Sequence, residues 1–132
     1  KLGEVIMNKY THLFEPIKIG KTIVKNRVFM PPISTNLADK GYVTEELIRH
    51  YAARAKGGVG LIVSEVVTVE PTYVYLPGDM SIHDDSFIEG WTKLFAEVHK
   101  LDEQTFVNRN LPTNQRKVVK VKSVHVSDAF AV

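Results

Sequence analysis

The chain has 132 residues, enough for one domain with a true core but short of the roughly 200 that a complete eight-fold β/α barrel takes. Its 44% apolar content and net charge of +2 fit a globular protein rather than a disordered one, and no window approaches the ~20 apolar residues of a membrane span. The absence of cysteine excludes disulfides, thiolate metal sites and iron–sulfur ligation within these residues; the cytoplasm is the expected compartment.

Residues 1–6 precede Met7 and are expected to be a leader or an appended extension. From Ile17 to Val24 the pattern alternates around Gly20-Lys21, which predicts a short β-hairpin. Val28, Phe29 and Met30 form an apolar run that ends at Pro31 and Pro32. Proline has no N–H to continue a ladder, so the run predicts a buried strand opening into a rigid loop. Thr44 is a good N-cap, followed by Glu45 and Glu46 in the first turn, where carboxylates suit the helix dipole. Leu47, Ile48, Tyr51, Ala52 and Ala55 then recur at three- and four-residue spacing, one face of a helix ending at Lys56-Gly57-Gly58. Residues 59–63 (Val-Gly-Leu-Ile-Val) are continuously apolar, as in a parallel strand buried on both faces.

Residues 70–79 are a turn-rich loop with Tyr73 and Tyr75. A second helix is expected from about 85 to 100, capped by the Asp84-Asp85-Ser86 cluster, with Phe87, Ile88, Trp91, Leu94, Phe95 and Val98 on its buried face. Thr105-Phe106-Val107 is the expected third strand. Beyond it, residues 108–115 are polar and turn-prone, and residues 117–126 alternate weakly like an edge strand. Arg116, Lys117, Lys120 and Lys122 make this end basic. With no aromatics interleaved, they predict a solvated edge rather than a nucleic-acid site. The five histidines have neither His-x-x-x-His nor His-x-His spacing, so no metal site is expected. No dinucleotide fingerprint, P-loop or nucleophile elbow is present.

Five blocks in order carry a family resemblance: Leu13-Phe14-Glu15-Pro16; Lys25-Asn26-Arg27; Met30-Pro31-Pro32; the run from Tyr51-Ala52-Ala53-Arg54 through Gly60-Leu61-Ile62; and Glu97-Val98-His99-Lys100. With this spacing the chain resembles the old yellow enzyme family of FMN-dependent NADH:flavin oxidoreductases. The wording Pro-Pro-Ile-Ser-Thr-Asn-Leu-Ala is similar to the branch of 2,4-dienoyl-CoA reductases and NADH oxidases. The resemblance implies an α/β fold, the N-terminal portion of an FMN-binding TIM (β/α)8 barrel, with about three β/α units after the hairpin. It divides the chain into an extension (1–6), a partial barrel domain (7–107) and a divergent basic tail (108–132).

The resemblance further implies an oxidoreductase that passes hydride from NAD(P)H through FMN to the activated C=C bond of an unsaturated carbonyl substrate. Carried over residue by residue, Pro31, Pro32, Ile33 and Ser34 lie beside the flavin ring, with the Ser34 hydroxyl near N5. The backbone of Val66 also meets the flavin. Asn108 stands where relatives carry a glutamine on the pyrimidine edge, and the run that follows that glutamine in relatives is replaced here by Arg109-Asn110-Leu111-Pro112. The residues that anchor and protonate substrate, and those that bind the flavin phosphate, belong to later strands. The chain by itself is therefore expected to be inactive, to have no catalytic residue of its own, and to self-associate through open sheet edges. The contrasting reading is a non-catalytic α/β module whose basic tail is an interaction element.

Overall fold

A computed structural model describes residues 9–20 and 22–101, and the backbone of 104–109. The helical turn α1 (Thr11–Phe14) leads into a hairpin of β1 (Ile17–Ile19) and β2 (Thr22–Val24), paired antiparallel with Ile17 opposite Val24. The strand β3 (Phe29–Met30) stops at Pro31, as two successive residues without an N–H require. Helix α2 (Glu45–Lys56) begins at Thr44, whose Oγ1 accepts the Leu47 N–H at 3.1 Å and donates to the Leu37 carbonyl at 2.7 Å. That one hydroxyl starts the helix and ties it to the preceding loop. Strand β4 (Leu61–Thr68), the short β5 (Met80–Ser81), a 3₁₀ turn (Asp85–Phe87), helix α3 (Ile88–His99) and β6 (Gln104–Arg109) follow.

β4 is the centre of the sheet. Leu61 is opposite Phe29 of β3 and also opposite Gln104 of β6, so the two parallel neighbours flank it on opposite edges. Val67 faces Met80 and Arg109, which puts β5 on the same edge as β3, further along β4. The three principal strands are thus parallel, adjacent and in chain order, as the sequence predicts. Leu47, Tyr51 and Ala55 of α2 pack with Trp91, Leu94, Phe95 and Val98 of α3 and with Ile62, Val67 and Met80 of the sheet in one core. The Trp91 indole N–H donates to the Ser81 carbonyl at 2.8 Å, so the largest core side chain keeps its polar atom satisfied. Asn26 joins the ends of neighbouring units: its amide donates to the Gly58 carbonyl and accepts the Val28 N–H. Arg27 faces the Glu15 carboxylate at 3.9 Å.

Several features depart from the sequence expectation. The strand ending at Pro31 is not buried, since Phe29 is 58% exposed, and the helix expected from about 85 opens as a 3₁₀ turn that Asp84 caps through the Ser86 N–H, with α3 starting at Ile88 without a side-chain cap. The second strand, expected over 59–63, starts at Leu61 and runs on to Thr68, and β5 forms just after the turn-rich loop of 70–79, where no strand is expected. The strand continues through the polar pair Ser64-Glu65 by means of a bulge. The register steps from Val63↔Phe106 to Val66↔Asn108, so Ser64 and Glu65 together oppose one residue of β6. A bulge of this kind bends the strand and re-aims a side chain. β5 has only two residues, too few for any periodic signal, and is fixed by pairing with Val67 and Thr68. The third strand, expected at 105–107, runs from Gln104 to Arg109, so Asn108 and Arg109 of the expected turn-prone segment 108–115 belong to the strand, held by pairing with Val66 and Val67; the rest of that segment, the expected extension 1–6 and the edge strand at 117–126 lie outside the described residues.

Candidate functional site

The C-terminal ends of β3, β4 and β6 point the same way, and in parallel β/α sheets ligands sit at that end. The candidate residues gather there. Pro31, Pro32, Ile33 and Ser34 leave β3 directly; Val66 lies on β4; Asn108 lies on β6, opposite Val66 in register. The loop is thus on one edge of β4 and Asn108 on the other, with Val66 between them.

The loop itself is stiff and outward-facing. Two prolines fix φ, and the Ile33 N–H donates to the Pro31 carbonyl at 3.0 Å, closing a three-residue turn. Pro31, Pro32 and Ile33 are exposed, Ile33 to 65%. Ser34 is half-buried, and its Oγ is closed off from solvent with no hydrogen-bond partner among the described residues. A rigid apolar edge beside an unsatisfied hydroxyl suits a flat ligand with a polar rim, provided that hydroxyl is uncovered when the ligand arrives.

Behind the loop lies a polar layer that the motif reading passed over. Glu65 is fully buried. Its Oε2 accepts the Thr35 N–H at 2.5 Å, and its own N–H donates to the Tyr51 hydroxyl of α2 at 2.9 Å. Burial pushes the Glu65 carboxyl above its usual range; the Thr35 hydrogen bonds oppose this and the Asp79 carboxylate adds to it. Burial likewise pushes the Tyr51 hydroxyl up. Asp79 is 2% exposed, and its Oδ2 accepts the Leu76 N–H at 3.0 Å. Glu65 Oε1, Asp79 Oδ1 and Thr68 Oγ1 are buried without partners among the described residues.

The loops after β3 and β4 are also joined. Asn36, in the left-handed region at φ 59, accepts the Gly78 N–H at Oδ1 over 2.8 Å, and the Ala38 N–H donates to the Gly78 carbonyl at 3.0 Å. A Cβ on Gly78 would come within 2.6 Å of the Asn36 carbonyl oxygen, so only glycine permits this approach. The sequence did carry one signal for Glu65, a charged residue two places after a continuous apolar run, but that signal reads equally well as the end of a strand.

A family model described as NADH:flavin oxidoreductase / NADH oxidase matches residues 12–122. The chain is 38% identical over 103 residues to an NADH oxidase of Thermoanaerobacter brockii, covering 76% of this chain and 16% of that protein. It is also 38% identical over 91 residues to a bilirubin reductase of Mediterraneibacter gnavus, covering 68% of this chain and 14% of that one. Among solved structures, the old yellow enzyme of Trypanosoma cruzi superposes with a TM-score of 0.70 at 30% identity, over 76% of this chain and 27% of its own. The chain therefore spans about a sixth of the curated relatives it matches and about a quarter of that barrel.

Proposed function

This chain belongs to the NADH:flavin oxidoreductase / NADH oxidase family, and from that premise we propose that it supplies the first wall of an FMN site in an NAD(P)H-dependent reductase of activated C=C bonds. The fold is the opening part of a TIM barrel, as in the old yellow enzyme structures it resembles. The observation that carries the proposal is the gathering of the 31–34 loop, Val66 and Asn108 at the C-terminal ends of three adjacent parallel strands.

When bound, FMN would take hydride from the nicotinamide and deliver it to the alkene. The chain's own residues bind and orient. Pro31, Pro32 and Ile33 offer a fixed apolar edge and backbone groups to one side of a planar ring. Ser34 offers a hydroxyl that can donate or accept, and a hydrogen bond to a cofactor tunes its electronics. Val66 contributes backbone next to the loop, and Asn108 stands opposite Val66 in register on the neighbouring strand. Substrate anchoring, proton donation and phosphate binding fall to groups outside this set. One wall cannot offset the cost of immobilising a ligand, so the chain alone is inactive in this reading. The setting is cytoplasmic, and the partners are a flavin and an unsaturated carbonyl compound.

The reading is tested by joining the chain to the remaining barrel strands of the Thermoanaerobacter brockii relative. The joined protein should carry FMN through gel filtration and oxidise NADH with an α,β-unsaturated ketone, whereas the chain alone should emerge colourless. A joined, folded protein that retains no flavin would overturn the reading. Stoichiometric yellow colour on the chain alone would overturn its dependence on the later strands.

A further inference from the structure

We propose that Glu65 is the positioning residue of the loop after β3: its carboxylate grips the Thr35 amide and so sets where residues 31–34 stand against β4, without touching the ligand itself. Thr35 directly follows Ser34, and its N–H reaches Glu65 Oε2 at 2.5 Å. The grip is fixed at its base. Glu65 lies in the bulge between Val63 and Val66, an irregularity of the kind that re-aims side chains, and the Tyr51 hydroxyl of α2 holds the Glu65 backbone N–H. The loop thus takes its position from the sheet and from a helix in the core, rather than from its own turn alone.

Energetics argue against a merely stabilising role. A glutamine could accept the same N–H through its carbonyl and would bury no ionisable group, and burying a carboxylate is costly unless it is paired. The groups acting on Glu65 among the described residues are the Thr35 side chain and amide from the loop, the Asp79 carboxylate from the segment before β5, and the Tyr51 hydroxyl of α2; Arg54 acts on Tyr51. None of those acting directly on Glu65 is a cation. What an acid offers that an amide does not is the stronger hydrogen bond of an ionised acceptor, and so a shorter, better-defined placement of the loop.

That the loop faces flavin rests on the function proposed above; the grip itself is readable without flavin. The experiment follows amide signals of the isotope-labelled chain by NMR as pH is raised through the carboxylate range. The Thr35 amide proton should move downfield in one step with its midpoint above the ordinary value of 4.5, and the Ser34 and Ile33 amides should shift with the same midpoint. Glu65→Gln should abolish the step. Asp79→Asn should lower its midpoint, because it removes the like charge that raises it. A flat Thr35 signal in the unsubstituted chain overturns the proposal. So does a step at Thr35 that Ser34 and Ile33 do not follow, because the carboxylate would then bind one amide without placing the loop. Neither result depends on flavin, so failure here and failure of the joined protein to bind FMN are separate outcomes.

Discussion

The buried carboxyl of Glu65 makes the stability of the chain depend on pH in a defined direction. Burial raises it, the Thr35 hydrogen bonds pull it back, and Asp79 raises it again, leaving the folded-state group above its ordinary range. The unfolded chain gives up this proton first as pH rises, and the folded chain holds it longer. Stability from this group is therefore complete below the ordinary carboxylate range and falls as pH climbs through the raised value. Glu65→Gln should remove that decline, measured by thermal unfolding in buffers spanning the range; an equally steep decline in the variant would contradict the assignment. The proline pair and Ser34 stand out in the sequence because local chemistry marks them. Glu65 does not, because its burial depends on a two-against-one pairing with β6, some forty residues downstream. Asn36 is hidden for the same reason, since its partner Gly78 belongs to another loop.

Among the elements, those with a complete local code form where they are expected. Helix α2 has a side-chain cap, acids in its first turn and an apolar face at helical spacing; α3 likewise buries Trp91, Leu94, Phe95 and Val98. Each of these signals lies within one or two turns of the residue it governs. The extent of β4 and the existence of β5 carry no such code, because strand ends are set by neighbours in the sheet. Thr44 gives a direct check on the helix. Thr44→Ala removes the Leu47 cap and the tie to Leu37, and should cost about 1–2 kcal/mol, read as a lower midpoint of denaturant unfolding. An unchanged midpoint would mean the cap is redundant with core packing.

Across the whole molecule, β3 and β6 flank β4 on opposite edges, whereas in a closed barrel every strand has two neighbours. Among the described residues the outer edges of β3 and β6 have no strand partner, and unpaired edges are templates for another chain, so the isolated protein should self-associate with rising concentration in sedimentation velocity. A single monomeric species over the whole accessible range would contradict this. The parallel order of the three strands was legible because strand, helix and strand alternate in the sequence, and that pattern leaves one handed solution. What the residues do together at the strand ends was legible only through family resemblance, since the loop, Val66 and Asn108 are far apart in the chain and carry no shared spacing. The central claim is that this strand-end surface is a flavin wall, and the most direct test maps FMN onto the labelled chain by NMR titration. Weak, saturable shifts confined to the amides of Ile33, Ser34, Thr35, Val66 and Asn108 are the expected result. Shifts centred on the outer faces of α2 and α3, or none at those strand ends at saturating FMN, would contradict it.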